Sequence, residues 1–188
     1  MYNYPWGYPQ YPYYYNGVPY QDNRQPIFWG NTDEIEHFNP FYYSHDHEDY
    51  MTLKDYGDNP LVVNIEHATE RNNTFRTVLW TGENLQVTLM SIDVGDDIGL
   101  EVHPNVDQFL RIEDGEGLVQ MGDAKENLSL QRRVDDESAI IVPAGTWHNV
   151  INIGNQPLKL YTIYAPPEHP FGTIHRTKAE AIEAEGHH

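Results

Sequence analysis

The sequence predicts an all-β fold, an antiparallel barrel or sandwich, and two observations support it. From about residue 61, short runs rich in β-branched and aromatic residues follow one another, separated by turn sequences such as TGEN, VGDD and EDGEG. No long helical pattern lies between them. The nine predicted strands are PLVVNIEHA, FRTVLWTG, LQVTLMSIDV, QFLRIEDG, GLVQMG, NLSLQRRV, SAIIVPAG, HNVINIG and PLKLYTIYAP.

A short helix is predicted after the last strand. Thr177 and Glu180 form the T-x-x-E pattern of a capping box, and Gly186 stands where a helix would end. Helix is therefore expected only as a small addition to the barrel.

Composition restricts the partners of this chain. Its 188 residues contain no cysteine, which excludes disulfides and thiolate metal sites. The 29 acidic and 11 basic residues give a net charge of −18, and such a surface repels nucleic acid. No apolar run reaches the roughly 18 residues of a membrane span, and no basic-then-apolar secretory signal is present. We expect no nucleic-acid or membrane partner, and a cytoplasmic location unless the N-terminal segment directs the protein elsewhere.

Residues 1–58 are predicted to form an extension that is largely disordered, and residues 59–188 the barrel with its terminal helix. The first 20 residues contain eight tyrosines and four prolines and almost no aliphatic side chains, so they cannot build a core. Further along, NTDEIEHF can start a short helix capped by Asn31 or Thr32. We interpret His45 and His47 as part of a solvated acidic loop.

The candidate chemistry begins in the stretch GLEVHPNVDQFLRIEDGEG. In an extended chain Glu101 and His103 point to the same face, and Gln108 follows after a turn that returns the chain alongside them. Polar groups facing the inside of a barrel are costly unless something satisfies them, and a divalent ion would do so. The alternative interpretation is that these residues form an ordinary polar strand on a solvated face and bind no metal.

A second group lies about 40 residues further on, in VPAGTWHNVIN. Pro143 and Gly145 predict a tight turn into a strand that starts near His148. Asn152 lies on the same face of that strand. In a small barrel this strand can place His148 opposite Glu101.

These residues resemble the two motifs of the cupins, small jelly-roll β-barrels. The cupin motifs read G-x5-H-x-H-x3,4-E-x6-G and G-x5-P-x-G-x2-H-x3-N. Seven of the ten motif positions match, with 21 residues between the motifs, and the resemblance spans roughly residues 61–168. The matching residues are Gly95, His103, Gly115, Pro143, Gly145, His148 and Asn152. Glu101, Gln108 and Glu137 stand where the motifs have histidine, glutamate and glycine.

The resemblance implies a metal site formed by Glu101, His103, Gln108 and His148. Asp107 is a rival to Gln108, because the motif allows the shorter spacing. We prefer Gln108, since only that choice keeps the six-residue step to Gly115. The variant E-x-H-x4-Q is similar to that of single-domain bacterial cupins described loosely as mannose-6-phosphate-isomerase-like.

Function is expected at the level of a metal-binding cupin. Histidine, carboxylate and amide ligands suit Mn²⁺ or Fe²⁺ best, with Ni²⁺, Co²⁺ or Zn²⁺ also compatible. The resemblance allows a metal-dependent isomerase or oxidoreductase acting on a small oxyacid or sugar, and implies a homodimer, but no catalytic residue is assigned because fold does not fix reaction. The alternative is a structural or binding protein, since the Tyr/Pro-rich tail resembles those of spore-coat proteins and can bind coat-protein partners. The expected location is then the spore coat of a spore-forming bacterium instead of the cytoplasm.

Other residues are interpreted as structural. The histidines outside the motifs are expected to lie outside the site; these are His67, His169 and His175. Two arginines, Arg76 and Arg111, are expected to pair with surface carboxylates. Two aromatic residues, Trp147 and Tyr161, are expected to pack in the core.

Overall fold

Nine strands and two short helices make up the part of the protein that its structure, a computed structural model, describes, residues 51–186. The Tyr/Pro-rich tail, the helix predicted in NTDEIEHF, and His45 and His47 lie outside these residues. The elements are α1 (Ile65–Arg71), β1 (Arg76–Thr81), β2 (Gln86–Ile92), β3 (Asp107–Asp114), β4 (Gly117–Gly122), β5 (Leu130–Val134), β6 (Ala139–Val142), β7 (Trp147–Asn152), β8 (Leu158–Ala165), β9 (Ile174–His175) and α2 (Lys178–Glu185).

The strands form two antiparallel sheets. One has six strands in the order β6-β3-β8-β2-β1-β9, and the other three in the order β5-β4-β7. Val119 and Val150 from the small sheet pack with Met90, Leu110 and other residues of the large one, so the main core lies between the sheets. The predicted all-β fold is confirmed. Among residues 51–186, no helix is long and apolar enough to cross a membrane.

The inner face of the large sheet is divided into two halves along its strands. In register across β2, β8 and β3, Met90, Leu160 and Ile112 form one row and Ile92 and Leu158 lie beyond it. We call this the apolar half. In the other direction the rows become polar, except that Leu110 of β3 pairs with Thr162. The polar half consists of Gln86, Thr88, Gln108, Thr162 and Tyr164.

Eight of the nine predicted strands are present, and the first is wrong. Within residues 60–68 the chain instead enters helix α1, because the Asn64 side chain accepts a 3.1 Å hydrogen bond from His67 N and caps the helix. Ala68 and Thr69 are buried on the inner side of this helix. Lys159 of β8 donates a hydrogen bond to the carbonyl oxygen of Asn72, the residue that ends α1.

The predicted C-terminal helix is confirmed as α2. Thr177 Oγ1 accepts a hydrogen bond from Glu180 N at 3.3 Å, and Glu180 Oε2 accepts one from Arg176 N at 2.6 Å. Ala181 is buried in the main core, so the helix packs against the barrel. The short strand β9, which sequence analysis did not predict, precedes the helix and pairs with β1.

The segment just before the barrel also packs against it. Tyr56 N donates to Leu79 O at 2.9 Å, and Asp55 Oδ2 accepts from Thr81 Oγ1 at 2.6 Å and from Gly172 N at 2.9 Å. Met51 and Leu53 contact the apolar cluster on the outer face of β1 and β2. The predicted boundary at residue 58 therefore falls within a segment that contacts the barrel.

Candidate metal centre

Residues 101–103 form an extended segment that lies against β7 without being a full strand. Glu101 N donates to His148 O at 3.0 Å, and His148 N donates to Glu101 O at 2.9 Å. Gly145 N donates to His103 O at 2.8 Å. These backbone bonds place the two sequence motifs side by side, which the motif spacing alone could only suggest.

Three of the predicted ligands converge. Glu101 Oε1 lies 3.3 Å from His103 Nε2 and 3.3 Å from His148 Nε2, and one ligand atom from each residue lies within 4.8 Å of the others. Both Nε2 atoms are buried and make no geometrically sound hydrogen bond with any described residue. Two buried nitrogens that face a carboxylate in this way need a further partner.

The other ring nitrogen of each histidine is occupied. His148 Nδ1 lies 3.0 Å from the carbonyl oxygen of Thr146, and His103 Nδ1 lies 3.1 Å from Glu168 Oε1. A carbonyl and a carboxylate only accept hydrogen bonds, so both contacts favour the tautomer that carries the proton on Nδ1. In the neutral rings the lone pair is then on Nε2, pointing to Glu101, as a metal ligand requires.

The charge states of Glu101 and the two histidines depend on one another. Burial on its own would raise the pKa of Glu101, but N–H groups and positive charge from protonated His103 and His148 outweigh burial and lower that pKa from 4.5 to about 2. Burial would lower the pKa of His103, but the carboxylates of Glu101 and Glu168 raise it above its ordinary value. The cluster therefore holds an ionised carboxylate between two imidazoles.

A divalent metal ion fits these three side chains. Two ligand atoms about 2.1 Å from one ion are about 3.0 Å apart at a right angle and about 3.4 Å apart at the tetrahedral angle. The 3.3 Å separations between Glu101 Oε1 and the two Nε2 atoms lie in this range. Glu101, His103 and His148 thus form a group that can hold a metal ion.

Gln108 and its rival Asp107 lie on opposite faces of β3. Gln108 is buried, its Nε2 donates to Thr162 Oγ1 at 3.1 Å, and its Oε1 makes no hydrogen bond with any described residue. It pairs in register with Tyr164, whose ring meets His103 edge-on at 5.6 Å. Asp107 is exposed and accepts from Ala144 N at 2.8 Å. Metal coordination by Gln108 remains a prediction.

Two residues near the site were not predicted there: Glu168 was not singled out, and His169 was expected to lie outside the site. Both lie on the irregular segment after β8, where no periodicity indicates direction. His169 is buried against Tyr164, with ring centroids 5.0 Å apart. Burial, reinforced by the charge of Arg76, lowers the pKa of His169 to about 3, so its imidazole is neutral.

The remaining expectations have mixed outcomes. Arg76 is buried, so its expected place on the surface is wrong; its position on β1 points it inward, toward Tyr164 and His169. Arg111 does pair with a carboxylate, that of Glu113, at 3.3 Å. Tyr161 packs against the outer apolar cluster, and His67 is exposed; Trp147 is only half buried, and His175 lies on β9.

Comparison with known proteins supports the motif resemblance. The Cupin domain family matches residues 88–164, which run from β2 through β8 and contain all four predicted ligands. The protein YrkC of Bacillus subtilis (strain 168) is 59% identical over 175 residues, covering 92% of this chain and 94% of its own.

The chain belongs to the cupin family.

Two further proteins are similar to this chain. The mimivirus protein L612 from Acanthamoeba polyphaga mimivirus is 41% identical over 114 residues, covering 60% of this cupin and 69% of its own chain. The crystal structure of BH2720 from Bacillus halodurans has a TM-score of 0.69 and 64% identity, covering 70% of this cupin and 99% of that chain. The predicted cupin barrel is confirmed.

Proposed function

We propose that this cupin is a metal-dependent enzyme that acts on a small oxyacid or a sugar, with Mn²⁺ or Fe²⁺ as the favoured ion. The observation that carries the proposal is the convergence of Glu101, His103 and His148, with both Nε2 atoms buried and facing the carboxylate. Two histidines and one carboxylate form a ligand set typical of non-haem iron sites and equally suitable for manganese.

The chain contributes orientation and charge to this site. Backbone pairing between Glu101 and His148 holds two ligands close together, and the Nδ1 contacts favour the Nδ1-protonated tautomer of both rings. Three protein ligands leave coordination positions open, and a bound divalent ion would supply Lewis-acid or redox chemistry there. We include Gln108 as the fourth ligand in the proposal, because its oxygen is buried and without a hydrogen bond from any described residue.

The test is elemental analysis of the full-length chain, purified without a metal-affinity column after growth with added manganese and iron. We expect about one equivalent of metal in the wild type and a large loss in His148→Ala. Exposed His67→Ala is the matched control and should keep its metal. A wild-type protein that carries no metal and binds none on titration would contradict the proposal. Small oxyacids and sugars would then be screened by the shift in Tm of the metal-loaded protein.

A role in assembly is a second candidate, favoured by the Tyr/Pro-rich segment. The match to YrkC covers 92% of the chain and therefore extends into the first 50 residues, so a Bacillus relative shares part of this segment. We infer that the segment can mediate attachment to a spore coat or another surface while the barrel binds metal. Deletion of residues 1–50 should then abolish localisation and leave metal content unchanged. Unchanged localisation would exclude this role.

Self-association is part of the proposal. We include a homodimer, which the family resemblance suggests, and light scattering of the full chain measures it directly. A monomeric mass at micromolar concentration would exclude the homodimer.

A further inference from the structure

Glu168 contacts the candidate metal centre from outside the ligand set. Its Oε1 lies 3.1 Å from His103 Nδ1, on the side of the ring away from Glu101. The side chain of His103 is 9% exposed and that of Glu168 is 32% exposed, so the carboxylate stands between a buried ligand and solvent. The sequence motifs do not include this residue.

The backbone beside Glu168 is held firmly in place. Gln86, fully buried in β2, accepts a hydrogen bond from His169 N at 3.0 Å and donates one to His169 O at 2.8 Å. The ring of His169 packs edge-on against Tyr164. The next residue, His169, is held by two backbone hydrogen bonds and a buried ring. Glu168 is therefore held in a defined position beside His103.

The two histidines have unequal partners at Nδ1. His148 faces the neutral carbonyl of Thr146, whereas His103 faces a carboxylate. Both partners select the same tautomer, but only the carboxylate adds negative charge. A carboxylate behind a histidine ligand fixes the orientation of the ring and increases its basicity, and its loss typically weakens metal binding by 10- to 100-fold.

We propose that Glu168 is a positioning residue for the metal centre, which holds His103 as the Nδ1-protonated tautomer and strengthens Nε2 as a ligand. This inference rests on the proposed function, since it concerns the same metal site. It assigns the segment between β8 and β9 a part in metal binding that the motif residues do not reveal.

Three variants of the full chain separate orientation from charge. Glu168→Gln retains an oxygen that accepts from Nδ1–H and removes the charge; Glu168→Ala removes both; Glu168→Asp retains the charge on a shorter side chain. We expect Mn²⁺ and Co²⁺ affinity to fall by about 10-fold in Glu168→Gln and by up to about 100-fold in Glu168→Ala. Glu168→Asp should recover part of the loss. Affinity is measured by competition with a chelator.

A charge control and a double-mutant cycle make the test specific. Glu116→Gln removes one exposed negative charge near Gly117, which pairs with Asn152 at the opposite end of β7 from His148. Its Mn²⁺ affinity should equal that of the wild type. In a His103→Ala background, Glu168→Gln should cause no further loss, because the ring through which it acts is absent. Equal effects of Glu168→Gln with and without His103 would overturn the inference.

A readout without metal distinguishes failure of this inference from failure of the metal site. Nitrogen-15 chemical shifts of metal-free protein report which nitrogen of His103 carries the proton. At a pH high enough for the His103 ring to be neutral, the wild type and Glu168→Gln should show the Nδ1–H form, and Glu168→Ala a mixture. If the wild type binds no metal, the proposed function fails while this measurement still decides the tautomer. If the wild type binds metal and Glu168→Ala leaves both tautomer and affinity unchanged, only the role of Glu168 fails.

Discussion

The apolar and polar halves of the large sheet's inner face are built from the same strands and are buried to the same extent, yet they differ in how well their atoms are satisfied. In the apolar half, Leu158 and Leu160 are completely buried among other apolar side chains. In the polar half, Thr88 Oγ1 and Gln108 Oε1 are buried without a hydrogen bond from any described residue. Burying unsatisfied polar atoms costs stability, so the polar half reflects a requirement other than folding.

The largest expected effect of a single change is in the apolar half. Leu160→Ala should lower the free energy of unfolding by about 2–5 kcal/mol, because it leaves a cavity beside Met90 and Ile112. Urea denaturation of the metal-free protein measures this. Metal stoichiometry of the folded variant should be unchanged. A loss below about 1 kcal/mol, or loss of metal from folded protein, would break the separation between the two halves.

Strand β7 allows the same comparison along one face. His148→Ala should weaken Mn²⁺ binding by more than the roughly 10- to 100-fold that loss of a group behind a ligand costs, since it removes one of three converging ligands. Asn152 is equally buried but donates to Ile92 O at 2.9 Å and Gln156 O at 2.8 Å.

Asn152→Ala is therefore the matched variant with the opposite result. It should lower the free energy of unfolding by about 1–3 kcal/mol through its lost hydrogen bonds and leave Mn²⁺ affinity unchanged. Calorimetric titration with Mn²⁺ and urea denaturation of both variants provide the two measurements. An Asn152→Ala protein that folds but has lost its metal would remove the distinction between the ends of β7.

Gln108 and Asp107 test whether the polar half reaches the metal. Gln108→Ala should weaken Mn²⁺ binding by about 10-fold, less than loss of a histidine, because water can replace a neutral amide ligand. Glu101→Gln should weaken binding more than Gln108→Glu, which adds a second carboxylate to the set. Asp107→Asn should have little effect, since its side chain points outward to Ala144 N. The reverse order for Gln108→Ala and Asp107→Asn would identify Asp107 as the ligand.

The pH dependence of stability tests the same site and has a smaller expected effect. The lowered pKa of Glu101 contributes stability above about pH 4.5 that is lost as pH falls toward 2. The raised pKa of His103 contributes stability below about pH 6.5 that is lost as pH rises through the raised value. The metal-free cluster therefore contributes most between about pH 4.5 and 6.5.

Metal binding should follow the opposite trend, because Mn²⁺ must displace the proton from His103. Below the raised pKa of His103, affinity should increase by up to about tenfold per pH unit, with a proton released to buffer. Titration calorimetry in buffers of different ionisation enthalpy measures that proton. Binding that is independent of pH between 5.5 and 8 would show that His103 is not protonated in the metal-free cluster.

The smallest expected effect lies away from both halves, at Glu137. This residue stands where the cupin motif has a glycine and adopts φ 66°, a conformation that glycine takes without strain. Glu137→Gly should raise the free energy of unfolding by up to about 1 kcal/mol and leave Mn²⁺ affinity unchanged. Asp136→Gly, at an adjacent exposed residue, is the control and should lower stability or leave it unchanged. Destabilisation by Glu137→Gly would show that its side chain makes a contact worth more than the backbone strain.

Much of the barrel was predictable because alternation and turn residues act locally. The side of β3 that carries Gln108 follows from its spacing to buried Leu110 and Ile112. The run at residues 60–68 was misassigned because its β-branched residues favour a strand, whereas the cap at Asn64 and burial of Ala68 favour a helix. Local propensity gave way there to tertiary contacts.

The site was predictable only as far as its motifs extend. Glu101 and His148 could be matched to motif positions, and their pairing then follows from the barrel. Glu168 could not be found, because its contact with His103 joins distant parts of the chain through an irregular segment. Burial of Arg76 required the register of β1 against β2, where it faces Met90, and the sequence does not specify that register.

The two hydrogen bonds between Gln86 and the backbone of His169 have a kinetic consequence. They use the same pair of groups, one N–H and one carbonyl, that a neighbouring strand would use, so residue 169 is anchored like a sheet residue without lying in a sheet. Its amide should therefore exchange hydrogen with solvent as slowly as the amides of β8. Detachment of the segment requires release of the buried Gln86 amide, so hydrogen exchange at this one amide reports the free energy of that local detachment.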